Sequence, residues 1–462
     1  MRKNIYGQNA SHPVIACSLN NIGTAWVDLG DYQKAIYFIQ KALDMEMCVF
    51  GLNVDHPDIA DSLNNLGAAW YVLEDYSKAI SYFERSLKMQ MNLHGCNTLH
   101  ASIADAFTNL GETWNCHGDP RKAIRYHEQA LQMYRSIYGK DTTHPDIAKS
   151  IHNMGGAWLG LDHYRKAISC TEEALQMRQS IFGRSTAHPY IASELSYLGL
   201  GWDGLGCHLK ATSYHEQALL MYRGIYGQTT AHISIATALK HLAVTWTRRG
   251  DYRKAISYHE QALEMRMKIH GRDTVHLGIA ESFNDLAKAW TRQGDPMKAI
   301  SYLEQALQMF RSIYGENTPH PDIATTLCYL GGAWLILGDP RKTIGYSEQA
   351  LQMFRSIYGQ NVPHPDTALA LCYLGSAWFC LGDHKRATNT CQDALAMARQ
   401  VDPQDQSHQL ITQIELCLGL IRDNTNRIVP RRLSLAAQQK IVKTSLGLYS
   451  VRNIHISILP DL

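Results

Sequence analysis

The chain has 462 residues, 45% hydrophobic and 19% charged, with a formal net charge of +2. That balance excludes the overall basic field of a nucleic-acid or membrane-surface binder. No apolar run reaches the roughly 18 residues a bilayer span needs, and the opening MRKNIYGQNASHP lacks the apolar core of a secretory leader. Eleven cysteines without a C-x-x-C pair read as free thiols of a reducing compartment, which points to a cytoplasmic protein.

In chain order, residues 1–12 read as the remnant of a truncated repeat. Met1-Arg2-Lys3-Asn4-Ile5-Tyr6-Gly7 aligns with Met309-Phe310-Arg311-Ser312-Ile313-Tyr314-Gly315, so the expectation is a longer protein whose upstream part is absent. From 13 to 403 one 44-residue unit recurs nine times. Trp26, Trp70, Trp114, Trp158, Trp202, Trp246, Trp290, Trp334 and Trp378 stand 44 residues apart, with no insertion or deletion. Histidines keep the same beat from His12 to His408, glycines from Gly7 to Gly359, and a basic residue from Lys34 to Arg386. A fixed period of this length marks a solenoid, in which one helical unit stacks on copies of itself.

Within one unit, His56-Pro57-Asp58 opens a helix. Proline is tolerated in the first turn, and the aspartate faces the positive end of the helix dipole. Leu63, Leu66, Gly67 and Trp70 follow at three- and four-residue steps as an apolar stripe. Glu74-Asp75, in most other units Gly-Asp, breaks the helix. A second helix runs from about Tyr76 through Ala79, Phe83, Leu87 and Met89 to Leu93, and Gly95 closes it. Residues 404–423 keep phase through His408, Ile411, Leu418 and Gly419, but Arg422 takes the tryptophan position, so this segment reads as a degenerate capping helix. From 424 to 462 the tail is divergent and basic, with Arg427, Arg431, Arg432, Lys440, Lys443 and Arg452 against Asp461 alone. It holds a short predicted helix near Leu433 to Leu446, and Arg431-Arg432-Leu433-Ser434 matches a basophilic kinase pattern of low specificity.

Leu63-x-x-Leu66-Gly67-x-x-Trp70 followed by Ala79-x-x-x-Phe83 resembles the tetratricopeptide repeat in spacing. Tryptophan replaces the usual tyrosine late in the first helix, leucine replaces the usual early tryptophan, and the second helix is extended. The H-P-D-I-A opening and the I-Y-G ending resemble the kinesin-light-chain type, over about residues 1–423. The resemblance implies an all-α fold, an α-solenoid of antiparallel helix pairs in a right-handed superhelix. It also implies that the first helices line a concave groove where a non-catalytic scaffold holds extended peptide segments of partner proteins.

At 100° per residue, positions 61, 68 and 72 lie within about 60° of Asn65, opposite the core stripe. Successive repeats offer Asn21, Asn65, Asn109 and Asn153 there, and similar repeats use asparagines on this helix to grip peptide backbone. Tyr197, Tyr329 and Tyr373 hold the position later. Asp28, Asp61, Asp105 and Glu112 make the early face acidic, whereas Arg248, Lys288 and Arg292 make the sixth and seventh repeats basic. The expectation is an extended peptide with its acidic part near Arg248 and Arg292. The competing reading is a solvated face, with Asp285 and Lys288 as an i,i+3 pair.

Neighbouring members of the histidine column stand about 10 Å apart, too far to share a metal, so a helix-start role is expected and no cofactor or metal. Gly199-Leu200-Gly201-Trp202-Asp203-Gly204 fits G-x-G-x-x-G but follows no predicted strand, so it reads as a chance match. No catalytic constellation stands out. A second class of function is the C-terminal sensor arm of a larger nucleotide-binding switch, a STAND-type NTPase, whose upstream domain would then be the partner.

Overall fold

The computed structural model describes residues 12–95, 98–360, 362–400 and 407–425. Among these, nineteen helices and no strand occur. They are α1 (Pro13–Asp28), α2 (Tyr32–Phe50), α3 (Pro57–Val72), α4 (Tyr76–His94), α5 (Ala101–Cys116), α6 (Pro120–Tyr138), α7 (Pro145–Gly160), α8 (Tyr164–Phe182), α9 (Pro189–Gly204), α10 (His208–Tyr226), α11 (Ile233–Arg248), α12 (Tyr252–His270), α13 (Leu277–Gln293), α14 (Pro296–Tyr314), α15 (Pro321–Leu337), α16 (Pro340–Tyr358), α17 (Pro365–Cys380), α18 (His384–Gln400) and α19 (Ser407–Thr425). Consecutive helices pack as adjacent pairs, an α-solenoid. Two compact units emerge, one up to Leu205 and one from Gly206. Residues 1–11 and the tail from 426, with the Arg431-Arg432-Leu433-Ser434 motif, lie outside the described residues.

Each first helix starts the same way. The histidine before it has extended backbone, and its Nδ1 accepts the N–H two residues on, at 3.1–3.3 Å from His12 to His364. An orphan donor of the first turn is thereby satisfied. The same ring stacks on the side chain six residues earlier, with centroids 3.4–3.7 Å apart from Phe50–His56 to Tyr358–His364. The histidine column is thus a cap and a clasp between successive pairs. Between stacked rings the chain must turn through glycine: Gly315 has φ +100°, and a β-carbon there would stand 2.8 Å from Thr318 Oγ1.

The turn inside each pair uses aspartate. Asp31, Asp75, Asp119, Asp251, Asp295, Asp339 and Asp383 accept the N–H three residues on at 3.0–3.2 Å. The basic side chain carried by that third residue folds back over the tryptophan of the preceding helix. Its charged end lies 3.5–4.7 Å from the ring centre from Lys34–Trp26 to Arg386–Trp378. Such a contact contributes about 0.5–1 kcal/mol at an exposed site. Conserving tryptophan and cation in phase therefore covers an indole that no helix fully buries.

The close approach inside a pair comes from small residues. A β-carbon on Gly67 would lie 2.7 Å from the Phe83 ring, and Ala79 is fully buried. The second unit carries one continuous core from Ile256 to Ile421. Its last helix, α19, contributes Leu410, Ile414, Cys417, Leu418 and Ile421, while Arg422 is exposed where the repeats carry tryptophan. Residues 199–204 lie inside α9, so the glycine motif forms no phosphate-binding loop. No helix among the described residues is long and apolar enough to cross a membrane.

Candidate peptide-binding face

In the first unit the asparagine position sits on α1, α3, α5 and α7. Asn21 is exposed, Asn65 and Asn109 are half-buried, and Asn153 is buried. Three of the four donate to the preceding first helix. Asn65 Nδ2 donates to Asn20 Oδ1 at 3.1 Å, Asn109 Nδ2 to Asn64 Oδ1 at 2.9 Å, and Asn153 Nδ2 to Glu112 Oε1 at 2.6 Å. Glu112 also pairs with Lys149 at 3.2 Å. The amide donors thus tie neighbouring repeats into one ladder. Its acceptors, Asn20 and Asn64, were not singled out in the sequence, although the doublets Asn20-Asn21 and Asn64-Asn65 signal them.

Asp28, Asp61 and Asp105 are exposed on this face, and Asp105 accepts the Tyr134 hydroxyl. Beneath Tyr197 lies a buried ionic cluster that the sequence reading missed. Glu194 is fully buried; its carboxylate meets His152 Nδ1 at 3.0 Å and Arg178 Nε at 3.1 Å, and Arg178 Nη1 donates to the Tyr190 carbonyl at 3.0 Å. The Tyr197 ring centre lies 4.3 Å from that of His152. A glutamate in a column of small residues was the available signal.

In the second unit the asparagine position is taken by His241, Asp285, Tyr329 and Tyr373. Burial alone raises the Asp285 carboxyl, but Lys240, Lys288 and His259 outweigh it and hold the group well below the usual carboxylate range. Lys240 Nζ lies 3.5 Å from Asp285 and 3.4 Å from Glu281; Lys288 Nζ lies 3.2 Å from Asp285 and 5.0 Å from the Tyr329 ring centre. Lys288 is therefore committed to Asp285, the pair that the competing reading of the sequence named.

Arg292 joins the same neighbourhood. Burial pulls its pKa below the usual value, while Tyr252, hydrogen-bonded to it, together with Tyr373 and Tyr329, works the other way. Its Nε and Nη2 are buried without a hydrogen-bond partner. Arg248, half-buried, faces His215. The structure corrects one expectation: Tyr329 and Tyr373 are 3% and 0% exposed. They pack among the first helices of the late repeats and back Arg292 rather than offering open aromatic surface. No group of His, Cys, Asp or Glu among the described residues could hold a metal ion.

The tetratricopeptide-repeat family profile matches residues 14–92, 58–136, 102–180, 204–268, 234–312 and 278–356. The chain belongs to the tetratricopeptide-repeat family, with a 44-residue register. No curated protein matches its sequence. Among solved structures it is similar to the apo form of the quorum sensor NprR from B. thuringiensis, at 14% identity over 81% of this chain and 98% of that one, with a TM-score of 0.53. It is also similar to a Signal Transduction ATPase with Numerous Domains (STAND) protein carrying a tetratricopeptide repeat sensor, from Pyrococcus horikoshii. That match has 15% identity over 85% of this chain and 54% of that one, with a TM-score of 0.52. A third is BtubC (BKLC) from P. vanneervenii, at 21% identity over 52% of this chain and 92% of that one, with a TM-score of 0.43. At these identities the likeness is one of fold.

Proposed function

We propose that the chain is a non-catalytic cytoplasmic interaction scaffold that holds extended segments of partner proteins against the face made by its first helices. The observation that carries this reading is register. Each first helix sets one variable position away from its leucine and tryptophan stripe; it is open at Asn21, half-buried at Asn65 and Asn109, and covered by neighbouring helices at Asn153, Tyr329 and Tyr373. Repeats about 10 Å apart match roughly three residues of extended chain, so one polar contact per repeat suits a peptide backbone. Asn21, Asn65, Asn109 and Asn153 serve the first unit. Arg248 and Arg292, supported by Lys288, Tyr329 and Tyr373, receive acidic residues in the second. No cofactor, nucleic acid or membrane enters this reading.

The test is charge reversal of both Arg248 and Arg292 to Glu, with fluorescence anisotropy of acidic twelve-residue peptides. Affinity should fall about tenfold or more, as loss of charge-assisted contacts predicts. Unchanged affinity would sink the assignment.

A second reading, the sensor arm of a nucleotide-binding switch, is supported by the fold shared with the Pyrococcus STAND protein over 85% of this chain. Mapping the 5′ end of the transcript tests it: an upstream phosphate-binding loop favours the switch, and an in-frame stop codon just before Met1 removes it.

A further inference from the structure

The repeats supply their own comparison at one position of the second helix, two residues after the apolar ridge ends. It reads Glu46, Gln90, Tyr134, Arg178, Tyr222, Arg266, Phe310 and Phe354 along the chain. Where this side chain is polar it reaches a first helix and finds a partner. Gln90 Oε1 accepts from Ser102 Oγ at 2.6 Å, and the Tyr134 hydroxyl donates to Asp105. Arg178 meets Glu194 at 3.1 Å; Arg266 meets Ser282 Oγ at 2.9 Å and Glu281 at 3.7 Å.

Glu46 meets only the neutral Ser62 there and no cation. It is 2% exposed, and its Oε2 has no hydrogen-bond partner. The charged groups that face it from α3 are Asp58 and Asp61, two more carboxylates, with His56 3.9 Å from Asp58. Among the described residues no lysine or arginine pairs with any of the three. Asp58 and Asp61 are exposed on the first-helix face, while the acid they face is buried with no cation beside it. A buried charge left unpaired is costly, which is why such groups are normally paired within the chain.

We propose that Glu46, Asp58 and Asp61 form a recognition subsite for a lysine or arginine side chain of the bound segment, so that the ligand supplies the cation missing here. The inference rests on peptide capture by this face. The suitable cation is one carried on a long side chain, whose aliphatic stem crosses the exposed carboxylates while its head reaches inward. Burial, with smaller contributions from Asp58 and Asp61 against a lowering hydrogen bond from Ser62, pushes Glu46 up to about 7. Cation binding draws it down again, so a basic ligand expels a proton as it binds, and its affinity rises as pH climbs through 7.

The experiment selects phage-displayed random dodecapeptides on the full chain and on a Glu46→Gln/Asp61→Asn double variant, both isosteric changes. A synthetic copy of the most enriched wild-type peptide is then titrated at pH 6.5 in buffers of different ionisation enthalpy. The expected result is a fixed basic position that the double variant no longer selects, affinity about tenfold lower on the variant, and proton release seen with wild type only. Selected peptides without a fixed basic position, or basic peptides that bind both proteins equally, overturn the subsite. If acidic enrichment sensitive to Arg248 and Arg292 persists in those cases, peptide capture stands while the subsite falls. If no peptide is selected at all, both fall.

Discussion

The two units are built from the same columns and differ in what they place between them. Up to Leu205 the variable positions hold asparagine doublets, exposed aspartates, and two buried acids, Glu194 paired with Arg178 and Glu46 with no cation. From Gly206 onward they hold a basic and aromatic set, Lys240, Arg248, Arg266, Lys288, Arg292, Tyr329 and Tyr373, interleaved with buried histidines. Capping histidine, Trp–cation contact and closing glycine run through both units unchanged. The fold is thus held by the invariant columns, and the side chains that differ between the units stand at positions that cap, indole and glycine leave alone. This separation lets a solenoid change ligand without changing architecture.

The largest expected break in the symmetry is acid sensitivity. His215, His241 and His259 are all in the second unit, and burial lowers each pKa; His241 falls to about 3 and His259 to about 4. His241 and Arg248 depress His215 further, while Lys240 and Arg266 depress His241. Asp285 pulls His259 upward against Lys240, Lys288 and Arg266. In the first unit His127, lowered to about 4, and the half-buried His188 are the depressed histidines. A lowered folded pKa means the unfolded chain protonates first. The stability is present above about pH 6.5 and is lost as pH falls toward the folded values. Hydrogen exchange between pH 7 and 5 should therefore show the second unit losing protection first, by several kcal/mol in sum. Equal loss in both units would break the comparison.

A smaller contrast sets two glutamates against each other. Glu194→Gln removes the charge that compensates Arg178 in a buried cluster, and should cost about 3–5 kcal/mol. Glu46→Gln removes a buried charge that has no compensation, so at pH 8 it should leave stability unchanged or raised. Paired denaturant melts decide this; a loss at Glu46 as large as at Glu194 would mean that Glu46 has a partner within the fold.

Much of this was legible in the sequence because period and helix geometry act locally. Trp26 through Trp378 located every first helix, Gly67 and Ala79 marked the close approach to Phe83, and the histidine column was placed at helix starts. What a single-helix projection cannot supply is the neighbour. The 100° wheel around Asn65 gives a direction from one axis but not the distance to the next helix. That is why Tyr329 and Tyr373 were expected on an open face and are buried. The Arg178–Glu194 pair joins residues on different helices; Glu194 stands out in its column of small residues, but its partner on the other helix does not. The stacking of Tyr314 on His320 crosses a loop whose path depends on the backbone of Gly315.

The finest distinction concerns two turns in the first unit. Inside most pairs the helix break is glycine with positive φ, as at Gly30, Gly118 and Gly250, but Glu74 and Asp162 occupy that place with φ 62° and 57°. A residue with a β-carbon in this left-handed region carries strain of roughly 1–2 kcal/mol that glycine does not. Glycine also widens the unfolded ensemble, which offsets part of the gain. Glu74→Gly should therefore raise stability by about 0.5–1 kcal/mol. A thermal melt against wild type checks the sign, and Gly118→Glu in the next repeat should move stability the opposite way by a similar amount. If Glu74→Gly destabilises instead, the glutamate side chain contributes more through its own contacts than its backbone costs. The turn would then be a site where the sequence departs from its own repeat for a reason other than tolerance.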